Sequence, residues 1–183
     1  NWKEEHPLKM RPNDLLSPMD ILKEINEQFE NSIIVTDVGQ HQMLVSQYAE
    51  ITEGKQMIMS GGLGTMGYGL PGGIGAKIGN PDRPVIVISG DGGVQMNIQE
   101  LQTIIHHKMP IKIFLINNGG YHSIRQTQKN FFGEPLVGIG VDSGDLSFPD
   151  MSKLAPAYGY PYTCAKSNEE LGRAIEETLA QKG

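Results

Sequence analysis

An aspartate set among glycines, Gly90-Asp91-Gly92-Gly93, is followed by a run of amides and glycines, Asn117-Asn118-Gly119-Gly120, with Asn118 lying 27 positions after Asp91. A carboxylate, a side-chain amide oxygen and exposed glycine carbonyls are hard oxygen ligands of the kind that suits Mg²⁺ or Ca²⁺. Mg²⁺ is seldom caged by protein alone and completes its octahedron with phosphate oxygens and water. The two clusters together therefore suit a diphosphate held through a metal ion. Gly90, Gly92 and Gly93 leave backbone N–H groups free to approach phosphate, and the helix that follows adds its positive end.

The elements around these clusters must bring them together. Two apolar, β-branched runs, 85–89 and 111–117, end in them, and between the runs residues 97–107 carry Ile98, Leu101, Ile104 and Ile105 at helical spacing. Strand, helix, strand is a βαβ unit with parallel strands, so Asp91 and Asn117/Asn118 emerge at one carboxyl edge of the sheet, where open α/β folds bind their ligands. The same alternation extends along the chain. Helices are expected at 18–29, with Met19, Leu22, Ile25 and Phe29 on one stripe behind Ser17-Pro18, and at 42–49, 67–78, 148–158 and 168–181, the last introduced by Ser167. Strands are expected at 33–36, 56–59 and 160–165, and residues 119–147 read as loop. This pattern predicts an α/β, doubly wound, mainly parallel sheet of about five or six strands flanked by helices. Met96 and Ile98 are expected in the core, and Cys164 buried in the last strand.

Composition narrows the function. A formal net charge of −6 and a pI near 5.3 argue against a nucleic-acid or anionic-membrane surface. The single cysteine excludes a disulfide framework and a thiolate zinc site and fits a reducing, cytoplasmic setting. No apolar run approaches the roughly 20 residues of a membrane span. The start of the chain, "NWKEEHPLKMRPND", reads as linker, so 1–16 is expected to be the remnant of a connection to a preceding domain and 17–183 the binding domain. Nine of the 23 glycines fall in "SGGLGTMGYGLPGGIGAKIG", where backbone must turn tightly or approach something closely.

With these segments the sequence resembles a known family. GDG followed by the spaced Asn-Asn is similar to the thiamine-diphosphate signature, and "DVGQHQM", "SGGLGTMGYGLPGGIGA", "GDGGVQMNIQELQTI" and "INN" resemble the C-terminal, diphosphate-binding domain of the acetolactate synthase catalytic subunit family. The likeness is close over 33–118 and looser elsewhere. It implies that Asp91, Asn118 and the carbonyl of Gly120 hold Mg²⁺. Gly39, Gln40, His41, Gly92 and Gly93 would touch the diphosphate, with Tyr121 beside it. Met66 would sit under thiamine diphosphate and impose its bent conformation, and the carbonyl of Gly64 would contact the pyrimidine amino group. The implied chemistry is decarboxylation of a 2-oxo acid such as pyruvate followed by attack on a second carbonyl. The implied partners are an N-terminal pyrimidine-binding domain of the same or a neighbouring chain, which carries the activating glutamate, and further copies of the full-length protein.

Two stretches depart from the family. Thr127 falls where acetolactate synthases have a tryptophan that helps select the acceptor, and "GGYHS" replaces a glutamine-led stretch. Tyr121, His122 and Arg125 either line the substrate side or pack on the surface. Two other functions stay open at this point: a thiamine-diphosphate-binding module without turnover, and a nicotinamide-dinucleotide domain. The latter would use Gly62-Leu63-Gly64-Thr65-Met66-Gly67 as G-x-G-x-x-G and Asp91 as the ribose-binding acid. Against it, Pro71 and four further glycines follow in the next helix. His106 and His107 close a helix, where cationic side chains suit the dipole.

Overall fold

Two runs in the sequence are β-branched and apolar throughout, as strands buried on both faces require. They form β1 (Ile33–Thr36) and β3 (Val85–Gly90), whose residues are buried almost without exception. β2 (Gln56–Met59) and β4 (Ile111–Ile116) are only part-buried and flank them, giving a parallel sheet of order β2-β1-β3-β4. The computed structural model describes Glu5, Leu16 and residues 18–28 and 31–181. Ser17, Phe29 and, apart from Glu5 and Leu16, the expected linker at 1–16 lie outside the described residues.

Helices cover both faces. On one, α1 (Pro18–Gln28), α2 (Gln40–Tyr48) and α8 (Asn168–Ala180) bring Leu22, Ile25, Val45, Leu171 and Ile175 onto Ile34, Ile86 and Ile88. On the other, α3 (Gly69–Gly79), α4 (Asp91–Gln95) and α5 (Glu100–His106) bring Leu70, Val94, Leu101 and Ile104 onto Ile33, Val35, Val85 and Val87. The odd and even residues of the central strands thus serve different cores, as the period of two dictates. The chain leaves β1 for one face and β3 for the other. This places a topological switch point between the adjacent carboxyl ends of β1 and β3, the position at which open α/β sheets form a ligand crevice.

The structure alters several sequence expectations. The described residues hold four strands, not five or six, because 160–165 does not join the sheet. The N–H of Tyr160 is spent on the carbonyl of Ala155 at the end of α7 (Met151–Ala157), and Pro161 has no N–H, so the segment begins without two ladder donors. Cys164 on this segment is consequently exposed. The helix expected at 97–107 is divided: α4 starts directly at Asp91, residues 96–99 form a turn, and α5 follows. In that turn Met96 is 48% exposed, against the expectation of a core position, whereas Ile98, though only part-buried, packs against the core. The stretch 119–147 contains α6 (His122–Phe131) and a 3-10 turn at Val141–Ser143. α6 buries none of its residues, so the apolar stripe by which a helix is recognised is missing. α7 starts after Asp150, whose carboxylate accepts the N–H of Ser152 at 3.0 Å, three residues later than expected. Ser167 does stand at the N-cap of α8, but its side chain makes no capping hydrogen bond.

Candidate cofactor site at the strand carboxyl ends

The loops that leave β1, β3 and β4 meet around a cleft of about 290 Å³. Gly39, Gln40 and His41 line it from the first, Gly90, Asp91, Gly92 and Gly93 from the second, and Asn118, Gly120 and Tyr121 from the third, with Met66 reaching in from the glycine-rich loop. Of the residues that the resemblance assigns to the cofactor and the metal, Gly64 alone does not line the cleft. It lies in an exposed turn, φ +63°, with its N–H on the carbonyl of Ser60. His122, Ser123 and Ile124 complete the wall.

Asp91 joins two of these loops. One carboxylate oxygen accepts the N–H of Gly92 at 2.8 Å, and the other accepts those of Gly119 and Gly120 at 2.8 and 3.0 Å. The side chain is 4% exposed, and burial pushes its carboxyl upward from the usual carboxylate range while these backbone donors pull it down. The GDG and NNGG clusters, 27 positions apart, are therefore stitched together by one anion. Asn118 is left exposed at the cleft. Gly92 is required by packing, since a Cβ there would collide with the ring of Tyr121, which in turn meets Phe148 edge to face at 5.7 Å.

The loop after β4 is itself clasped. The N–H of Tyr121 bonds to Ile139 at 2.8 Å and the N–H of Val141 to Gly119 at 3.3 Å, bringing Gly120 and Gly140 so close that a Cβ on either would strike the opposite backbone. Arg125, from α6, pairs with Asp142 at 3.1 Å. That pairing spans the clasp, and Arg125 does not line the cleft, whereas Tyr121 and His122 do.

Asp37 went unnoticed in the sequence. It ends β1, is 1% exposed, and accepts the N–H groups of Val38 and Gly67 on one oxygen and the hydroxyl of Ser89 on the other. Its sequence signals are its place directly behind an apolar strand and at the head of "DVGQHQM". A Cβ at Gly93 would lie 2.8 Å from its carboxylate, so Gly93 is small because Asp37 lies beneath it.

Three observations bear on whether thiamine diphosphate and a divalent ion fit here. His41 is 8% exposed and its Nε2 is buried with no partner among the described residues, a donor or acceptor that a ligand in the cleft can satisfy. Burial lowers its pKa, so the ring is held neutral, with Asp37 acting in the opposite direction. Among the described residues no three His, Cys, Asp or Glu side chains gather. A metal at Asp91 would thus take further oxygens from amide, backbone and ligand, as Mg²⁺ beside a diphosphate does. The residues present fit both groups.

Residues 37–183 match the family model for the thiamine pyrophosphate enzyme, C-terminal TPP binding domain. The chain belongs to this family. It is 41% identical over 184 residues to the acetolactate synthase large subunit of Cyanidium caldarium, covering 100% of the chain and 31% of that protein. To the acetolactate synthase large subunit of Lactococcus lactis subsp. lactis (strain IL1403) it is 43% identical over 159 residues, 86% of the chain and 27% of that protein. To the chloroplastic acetolactate synthase 1 of Nicotiana tabacum it is 38% identical over 186 residues, 99% and 28% respectively. The chain spans about a third of the length of these relatives. It is a thiamine-diphosphate-binding domain of acetolactate synthase-like type, with the α/β parallel sheet expected of it. The dinucleotide alternative has no support in the geometry. The G-x-G-x-x-G stretch follows β2, an edge strand away from the switch point, and the Asp91 carboxylate is held by three backbone donors. No described helix is long and apolar enough to cross a membrane.

Proposed function

We propose that this domain, in its full-length protein, serves a thiamine-diphosphate- and Mg²⁺-dependent carboligase or decarboxylase acting on a 2-oxo acid such as pyruvate. The observation that carries this is the Asp91 junction, which places a carboxylate, Asn118 and the Gly120 backbone beside the unpartnered Nε2 of His41 in one cleft. Asp91, Asn118 and the carbonyl of Gly120 would hold the metal; Gly39, Gln40, His41, Gly92 and Gly93 would take the diphosphate; Met66 would support the ring system, with Gly64 beside it. α2 begins at Gln40, so its first turn also offers backbone N–H groups and the positive end of its dipole to phosphate. An acidic chain can in this way hold an anionic ligand through local donors. Bound there, thiamine diphosphate supplies the electron sink for cleavage next to a carbonyl. The protein's part is orientation. The N–H groups on Asp91 keep the carboxylate from rotating, the Gly120–Gly140 clasp keeps the metal loop in place, and His122, Ser123 and Ile124 wall the side on which a substrate would enter. An N-terminal domain, from the same or a neighbouring copy, would supply the activating glutamate. The lone, exposed cysteine is in keeping with a reducing cytoplasm.

Calorimetry of thiamine diphosphate into the full-length protein tests this. Binding is expected with Mg²⁺, to be lost on chelation, and to be abolished in Asp91→Ala. Metal-independent affinity unchanged in that variant would overturn the site assignment.

A further inference from the structure

The turn that divides α4 from α5 is a feature the cofactor reading does not use. It carries Asn97, and the amide of Asn97 donates to the carbonyl of Gly67 at 2.8 Å, 30 residues earlier in the chain. From the other side, Asp37 accepts the N–H of the same Gly67 at 2.8 Å. Both polar groups of one residue, next to Met66, are thus gripped by side chains from two different loops. Each grip is itself braced. The side chain of Gln99 donates to Asn97 Oδ1 at 3.2 Å, which leaves the Asn97 amide N–H for Gly67. Asp37 is held by the N–H of Val38 at 2.7 Å and the hydroxyl of Ser89 at 2.9 Å. Gly67 can be no other residue here. Its φ is +82°, and a Cβ would lie 2.7 Å from that of Met96.

We propose that Asp37 and Asn97 are positioning residues which clamp the Gly67 peptide between them and thereby set how far Met66 projects into the cleft. The proposal rests on the assignment of Met66 as the support beneath thiamine diphosphate. A continuous helix over 97–107 would keep Asn97 on the helix surface; the turn at 96–99 releases it toward the glycine-rich loop. The loop needs this external hold. Residues 61–65 are exposed, and among the described residues their hydrogen-bonded anchorage is Ser60, which accepts the N–H groups of Gly64 and Thr65. Without the clamp Met66 would hang from a chain of glycines whose conformational freedom is large.

The test measures thiamine diphosphate affinity of the full-length protein by calorimetry with Mg²⁺, and the thermal midpoint without cofactor. It compares the parent, Asn97→Asp, Met66→Ala and the double variant. Asn97→Asp keeps the shape but replaces the donor by an acceptor facing the Gly67 carbonyl. A loss of roughly tenfold or more in affinity is expected, with the cofactor-free midpoint within about 3 °C of the parent. In the Met66→Ala background the same substitution should cost no more than about twofold, because the clamp acts through Met66. Asn97→Ala carries the same comparison should the aspartate variant not fold. Unchanged affinity, or an equal loss with and without Met66, overturns the proposal. A parent that binds no thiamine diphosphate overturns the functional assignment itself, and the clamp's role with it.

Discussion

His41 shows how one residue couples the fold to its ligand. The ring is buried, its Nε2 has no partner among the described residues, and burial lowers its pKa below the ordinary histidine value of about 6.5. The unfolded chain therefore takes up a proton on this ring before the folded one does. The stability contributed by keeping it neutral is present above that value and is lost as pH falls through it toward the lower folded pKa. The cofactor-free thermal midpoint is accordingly expected to fall between pH 7.5 and 5.5, and to fall less in His41→Gln, whose amide does not titrate. Equal slopes for the two proteins in a thermal scan series would show that His41 is not held neutral. Thiamine diphosphate binding should meanwhile weaken in His41→Gln, since the substituted amide cannot reproduce the ring's approach to the cleft.

At the scale of elements, the segment after β4 decides both the metal loop and the substrate side. Gly120 has φ +150° and faces the Ile139 carbonyl so closely that a side chain has no room. Gly120→Ala is expected to cost on the order of 2 kcal/mol, a drop of roughly 4–8 °C in midpoint, and to weaken metal-dependent cofactor binding with it. A variant with the parent's midpoint would mean that the 137–141 segment of the clasp simply moves away. α6 carries Thr127, exposed, with its hydroxyl returned to the carbonyl of Ser123 on its own helix at 3.0 Å. It lies one turn from Ser123 and Ile124, which line the cleft. A threonine offers no broad apolar face to an ethyl group, and one methylene is worth only about 1–3 kcal/mol even in a formed pocket. The full-length protein is thus expected to show no strong preference for 2-oxobutyrate over pyruvate as acceptor, and Thr127→Trp to raise it. Competition between the two acceptors, with products resolved by mass, measures the ratio; an unchanged ratio in Thr127→Trp would place residue 127 outside the pocket.

For the molecule as a whole, the proposed function makes the cleft one half of a site. Its wall consists of strand-end loops on a four-stranded sheet, with Met66 and the start of α6, and among the described residues no acidic side chain other than Asp91 lines it. Polarising a pyrimidine ring calls for such an acid. The 183-residue chain by itself is therefore expected to bind thiamine diphosphate weakly and to release CO₂ from pyruvate far below ordinary enzyme rates, on the order of 10 s⁻¹. Addition of the N-terminal domain invoked in the proposed function should restore turnover. Ordinary rates from the isolated chain would show that the activating acid lies within it.

The alternation of apolar strands with amphipathic helices, the GDG and NN clusters and the glycine-rich stretch were legible in the sequence because each depends on residue type and short-range period. They were enough to place Asp91 and Asn118 at one sheet edge and to name the family. The tertiary structure decided what depends on long-range contact. Asp37 looked like any acid after a strand until Ser89 and Gly67, distant in sequence, came to share its carboxylate. The break at 96–99 goes against an apolar helical period where Asn97 bonds to Gly67, 30 residues earlier, and the period records burial without recording such a bond. α6 is not legible in the sequence because none of its residues is buried, and 160–165 reads as a strand because β propensity is silent on whether the segment's own N–H groups are already committed. Periodicity reports which side of an element meets the core, whereas the partners of a buried polar group are settled only when the chain closes on itself.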